Sequence, residues 1–102
     1  MEMYNPPHPG QIIKDALPEI PMTVTQFAKH IGVSRVTLSR VINERAGITP
    51  DMSIKLSEAF GQKSPDLWFR MQNKYDFWQA AHAKKRKKVK PIKMKTKMAE
   101  AA

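Results

Sequence analysis

Within six residues, Arg35, Val36, Thr37, Ser39 and Arg40 gather guanidinium donors, hydroxyls and branched methyls. That set suits the major groove of duplex DNA. Arginine bonds a guanine edge through two donors, threonine bonds a base or touches a thymine methyl, and valine packs on that methyl. Thr23, Ser34, Asn43 and Arg45 surround this stretch at positions where phosphates would pass, and helix N-termini favour phosphate. No Asp or Glu occurs between residues 23 and 43, so nothing there repels a polyanion. A polar face with two arginines is ordinary on any amphipathic helix. The punctuation around it decides the reading.

Thr23 and Gln26 have capping-box spacing, and Val24, Phe27, Ala28 and Ile31 follow at helical intervals. Gly32 supplies the left-handed residue that ends this helix. Val33 would plug the angle between two helices, and Ser34 would cap the next. Small Ala28 suits the close crossing of the pair. A helix over Arg35 to Asn43 then buries Leu38, Val41 and Ile42, turning Arg35, Val36, Thr37, Ser39 and Arg40 outward. Box, glycine, plug, second cap and acid-free face fall together between residues 23 and 43. The pattern is a helix-turn-helix.

Three further helices frame that unit. The first runs from Gly10 to about Leu17, with Ile12, Ile13, Ala16 and Leu17 inward and Pro18 as its stop. Thr49 caps a fourth, with Pro50 at its first position, Asp51 next and Met52, Leu56, Ala59 and Phe60 as its apolar stripe. The fifth starts at Ser64-Pro65-Asp66 and runs from Pro65 to His82, carrying five of the eight aromatic residues. No sustained period-two alternation occurs, so the chain reads as all-α. The domain plan is an N-terminal extension over 1–9, a DNA-binding domain over 10–82 and a Lys/Arg-rich, mobile tail over 83–102.

A chain of 102 residues with 41% apolar residues holds one small domain. With no cysteine, disulfides, thiolate catalysis and Cys-type metal sites are excluded. His8, His30 and His82 lack metal-ligand spacing, and Asp51 and Glu58 read as ordinary surface charge. The four glycines form no phosphate-cradling loop. No metal, no cofactor and no catalytic set is expected. The first ten residues lack a secretory pattern and nothing is long and apolar enough to span a membrane, so a cytoplasmic binding module is expected.

The net charge of +9 is unevenly placed. Residues 83–102 hold nine of the 18 basic residues and one of the nine acids, a net of +8, leaving +1 for residues 1–82. The block Lys84, Lys85, Arg86, Lys87, Lys88 repels itself, and Pro91 stops any helix. It reads either as a non-specific polyanion arm or as a solubilising tail.

One recognition helix covers too few base pairs for genomic specificity, so a homodimer reading half-sites about 34 Å apart is expected. Trp68, Met71, Tyr75 and Trp78 recur along one stripe of the fifth helix as its dimer or partner interface. For Trp68 and Met71 core packing is the favoured role, whereas Tyr75 and Trp78 lie beyond what a four-helix body would cover and point to an interface.

The chain resembles the HigA/VapI group of antitoxins within the Xre/Cro-like (lambda-repressor-like) helix-turn-helix class. The resemblance spans about His8 to Trp78. It rests on His8-Pro9-Gly10, Gly32-Val33-Ser34-Arg35, Gly47-Ile48-Thr49, Ser64-Pro65-Asp66 before Trp68, and Gln72-Asn73-Lys74-Tyr75-Asp76. It implies a dimeric antitoxin that represses its own operon on a palindromic operator and neutralises a HigB-like, mRNA-cleaving toxin. It also implies base-reading roles for Arg35, Val36, Thr37, Ser39 and Arg40, and phosphate contacts for Thr23, Ser34 and Asn43. The lysine-rich tail departs from the group's pattern. Two alternatives are a solitary or phage-type repressor without a toxin, and a less specific nucleic-acid binder driven by the tail.

Overall fold

A computed structural model describes residues 4–95, so the expected features at residues 1–3 and 96–102 lie outside the described residues. Among the described residues there are five α-helices: α1 Pro9–Ala16, α2 Val24–Ile31, α3 Arg35–Ile42, α4 Pro50–Ala59 and α5 Leu67–Ala81. No strand occurs among the described residues. Ile13, Phe27, Ile31, Leu38, Val41, Ile42, Ile48, Met52, Leu56 and Trp68 form one buried cluster to which every helix contributes. Phe60 bridges Phe27 and Trp68, with ring centroids 5.7 and 5.6 Å away, joining the α2 side of the core to α5.

The caps behave as their chemistry requires. The Thr23 hydroxyl accepts from the Gln26 N–H at 3.1 Å while the Gln26 side chain accepts from the Thr23 N–H at 2.9 Å. The Ser34 and Thr49 hydroxyls accept from Thr37 and Met52. Each satisfies a backbone donor that the helix leaves free.

Four expectations need correcting. First, α1 starts at Pro9 rather than Gly10, because the His8 Nδ1 accepts from the Gly10 N–H at 2.9 Å and acts as the cap. Ahead of Pro18, as expected, α1 ends at Ala16; the chain then makes one 3-10 turn, Leu17–Glu19, with Pro18 in its first turn, where its missing N–H costs nothing. Second, Ile12 is exposed, since α1 buries a narrow stripe centred on Ile13. Third, Ala59 is exposed, and the α4 face against α5 uses Ser53 and Ser57, both buried. Ser53 donates to the Pro65 carbonyl at 2.7 Å and accepts from the Phe69 N–H at 3.0 Å; Ser57 donates to the Ser64 carbonyl at 2.9 Å. Fourth, α5 begins at Leu67 instead of Pro65 and ends at Ala81. The two serines hold the Ser64 and Pro65 carbonyls, and the Asp66 carboxylate pairs with Arg70 at 3.0 Å rather than capping the helix.

Gly10 is where α1 crosses α3. An added Cβ there would overlap the Val41 carbonyl, with the carbonyl carbon 2.8 Å away. Only glycine permits that approach.

Candidate nucleic-acid interface

The interface is built on α2, the turn 32–34 and α3. Gly32 adopts φ 80°, in the left-handed region, and its N–H bonds the Ala28 and Lys29 carbonyls. Val33 follows with its N–H on the Ala28 carbonyl at 3.0 Å and its side chain against the core. From α4, Lys55 reaches the Gly32 carbonyl at 3.4 Å and pairs with Asp51 at 2.9 Å. The turn is thus braced from outside as well as plugged from within.

On α3, Leu38, Val41 and Ile42 are buried, whereas Arg35, Val36, Thr37 and Arg40 are exposed, Val36 by 68%. An exposed valine amid arginines makes an apolar spot that a thymine methyl would cover. Neither arginine is held by an acid; among the described residues the ion pairs are Lys55–Asp51 and Arg70–Asp66. Arg40 leans on the Arg45 carbonyl at 3.4 Å, a long contact that orients the guanidinium without neutralising it. Ser39 is half-buried.

The flanking residues differ in what they keep available. The Thr23 hydroxyl accepts from Gln26 and retains its own proton for donation. The Ser34 hydroxyl donates to Thr37 Oγ1 at 2.8 Å, so its proton is already engaged. Asn43 Nδ2 donates to the Ser39 carbonyl at 2.9 Å and to Ser39 Oγ at 3.3 Å, closing the helix end. Arg45 is exposed. Thr23 and Arg45 thus keep free donors, while the side-chain donors of Ser34 and Asn43 serve α3 itself.

Glu44 follows at φ 62°, the one non-glycine residue in the left-handed region among the described residues. The Arg45 N–H returns to the Arg40 carbonyl at 2.7 Å, a helix-terminating turn that normally takes glycine. An L side chain in that region costs roughly 1–2 kcal/mol, partly offset by the extra unfolded-state freedom of glycine. Glu44→Gly is therefore expected to stabilise the domain by about 0.5–1 kcal/mol. A thermal midpoint raised by about 3–6 °C in a circular dichroism melt would confirm it.

A buried polar network behind α3 escaped the sequence reading. Gln72, on α5, accepts from the Ile48 N–H at 3.0 Å and donates to Asp76 at 3.0 Å. Its Nε2 lies 3.4 Å from His8 Nε2, and the Tyr75 ring packs edge-on against His8 with centroids 4.8 Å apart. Gly47 leaves room for Gln72, whose Cδ is 3.1 Å from where a Cβ would stand. The network ties the N-terminal segment, the loop after α3 and α5 together. Replacing Gln72 by Met keeps the volume but strands the buried Ile48 N–H. The expected cost is about 1–3 kcal/mol, read as a lower urea midpoint with an unchanged slope.

Of the α5 stripe, Trp68 is only 3% exposed, and its Nε1 donates to Gln62 at 2.8 Å. It belongs to the core and has almost no surface to offer a partner. Met71, Tyr75 and Trp78 are half-buried. Trp78 stacks on His82 at 3.9 Å, and its Nε1 is buried without a hydrogen-bond partner among the described residues.

Two short helices joined across a left-handed glycine, the second presenting an exposed basic face, define a helix-turn-helix DNA-binding protein. Residues 22–68, covering α2 to the start of α5, match the helix-turn-helix family model. The chain belongs to this Xre/Cro-like family, in its HigA/VapI-type group. It is 44% identical over 77 residues to virulence-associated protein A' of Dichelobacter nodosus, covering 76% of this chain and 67% of the relative. An uncharacterized HTH-type transcriptional regulator of Escherichia coli K12 is 39% identical over 85 residues, 83% of this chain and 86% of that one. Antitoxin HigA of Pseudomonas aeruginosa, solved with the higBA promoter, superposes with a TM-score of 0.71 at 33% identity, covering 76% of this chain and 85% of that one. Among the described residues no helix is long and apolar enough to cross a membrane.

Proposed function

We propose that this chain is a sequence-specific DNA-binding antitoxin of a type II toxin–antitoxin module, acting in the cytoplasm without catalysis or cofactor. As a homodimer it places one α3 in each of two major-groove segments of a palindromic operator and represses its own operon. Its second task is to neutralise a HigB-like toxin that cleaves mRNA. One observation carries the reading: Arg35, Val36, Thr37 and Arg40 stand exposed and unneutralised on α3, on a scaffold shared with a HigA solved on promoter DNA. Ser39 completes the base-reading set, and Thr23, Ser34, Asn43 and Arg45 face the phosphates. Where the side-chain donors of Ser34 and Asn43 are engaged, their part is to hold the α3 ends beside the backbone.

The dimer uses the half-buried part of the α5 stripe that continues past Trp68, namely Met71, Tyr75 and Trp78. Tyr75 and Trp78 support this, because both large aromatic side chains keep part of their surface uncovered beyond the core, and a second copy would bury it. Sedimentation across a dilution series tests the point: a monomer at micromolar concentration with operator binding intact would remove the dimer from the mechanism.

The antitoxin role is tested by co-expressing the chain with the product of the adjacent small gene. Co-purification and restored growth are expected. Footprinting on the DNA upstream of its own gene tests the repressor role. The E. coli relative is named an uncharacterized HTH-type transcriptional regulator, not an antitoxin, which leaves a second reading, a solitary repressor. Operator binding with no rescue of any neighbouring toxin would select it.

A further inference from the structure

The lysine-rich segment after α5 is the strongest charged feature that the operator reading leaves unused. Helix α5 closes at Ala81, where the His82 Nδ1 lies 2.9 Å from the Trp78 carbonyl. Two backbone bonds follow, from the Ala83 N–H to the Ala80 carbonyl at 3.4 Å and from the Arg86 N–H to the Ala83 carbonyl at 3.3 Å. Every residue from 83 to 95 is exposed. Between Lys84 and Lys95 there are eight cations and no acid. None of them is ion-paired to another described residue. The body carries a net charge of only +1, so the tail holds almost all of the chain's net positive charge.

We infer that this segment is a phosphate-binding arm for duplex DNA flanking the operator, adding affinity without reading sequence. The inference rests on the operator reading above for where the arm is delivered. Its composition selects the partner. Of the eight cations seven are lysines, compact charges that neutralise phosphate but lack the planar fork by which arginine reads a guanine edge. The segment has no aromatic residue on which an unpaired base could stack, as single-stranded RNA or DNA binding requires. Its apolar side chains, Val89, Ile92 and Met94, are scattered rather than gathered into a face that would enter a membrane. Thirteen extended residues reach at most ~45 Å, longer than one turn of duplex, about 34 Å.

Each phosphate neutralised on a duplex contributes about 0.9 to the slope of log affinity against log salt. The experiment uses the full chain with Lys84, Lys85, Arg86, Lys87 and Lys88 replaced by Gln. Its binding is titrated from low to high salt against a duplex from upstream of its own gene and a shuffled duplex. The expected result is a slope shallower by about 4 per bound protomer on both duplexes. Affinity for both falls at least about tenfold near physiological salt, and the preference between them is preserved. These exposed side chains touch no core residue, so an unchanged melt confirms that folding is intact.

An unchanged slope on both duplexes overturns the inference and leaves a solubilising tail. Loss of the preference between duplexes overturns it too, since the arm would then be reading bases. A loss confined to polyuridylate RNA, or to phosphatidylserine vesicles run in parallel, overturns the choice of partner. Absence of any preference in the unsubstituted chain would instead sink the operator reading, and the slope on either duplex would still decide the arm.

Discussion

Gly10→Ala is expected to be the most damaging single methyl that can be added to this fold. The new Cβ would overlap the Val41 carbonyl, and a backbone carbonyl inside α3 cannot rotate aside as a side chain would. Relief requires α1 to lift away from α3, loosening Ile13, which is fully buried, and breaking the contact that seats the His8 cap. Overpacking of flexible side chains costs about 1–3 kcal/mol; against backbone the expectation is about 3 kcal/mol or more. A domain of this size has roughly 4–12 kcal/mol in total, so much of its stability would go.

Gly61→Ala is the internal control. Nothing lies within 4 Å of the added Cβ there, and only the φ of 66° is unfavourable, so about 1 kcal/mol is expected. Urea denaturation of the two variants side by side gives the answer. Equal losses would mean that the α1–α3 crossing is looser than the structure places it. Because Val41 belongs to α3, the part of Gly10→Ala that remains folded should also bind operator DNA more weakly than the unsubstituted domain.

Replacing Arg35 or Arg40 by Ala should leave folding untouched and strike DNA binding. Both side chains are exposed and carry no ion pair, and such surface changes ordinarily move stability by less than about 0.5 kcal/mol. A bidentate guanine contact contributes about 1–3 kcal/mol of discrimination. On a two-fold operator each substitution removes it twice, so a loss of about 2–6 kcal/mol per dimer is expected. Lysine should not restore it, lacking the paired donors. Arg40, oriented by the Arg45 carbonyl, should show the sharper loss at one base pair per half-site. Fluorescence anisotropy on the operator and on single-base-pair variants separates the outcomes. If both variants lose affinity equally on every duplex, the arginines hold phosphates and the base-reading role passes to other residues.

Much of this architecture was legible from residues three or four apart. Thr23 with Gln26, Gly32 with Val33 and Ser34, and Thr49 with Pro50 satisfy helix-end donors and acceptors locally, so their types alone locate four helix boundaries. The face of α3 was legible for the same reason: Leu38, Val41 and Ile42 lie on one side of a helix whatever surrounds it. Where local signals failed, a distant partner had intervened. Ser64-Pro65-Asp66 looks like a helix start, yet Ser53 and Ser57 hold its carbonyls, and α5 waits until Leu67. Those serines resemble solvent-facing residues because their hydroxyls are polar, and they are buried because the loop supplies acceptors. Ile12 resembles core, and the short α1 leaves it outside.

The amino-acid order alone determined where the helices lie, which face of α3 is basic and how the charge divides between body and tail. These depend on hydrogen bonds and periodicity that close within one or two turns. Only the tertiary structure decided that Gly10 is the crossing point, that His8 and Gln72 are buried partners 64 positions apart, and that Trp68 is closed off so fully that its Nε1 donates to Gln62. Contacts across that separation leave no period in the chain, since any spacing that brings two faces together serves equally well.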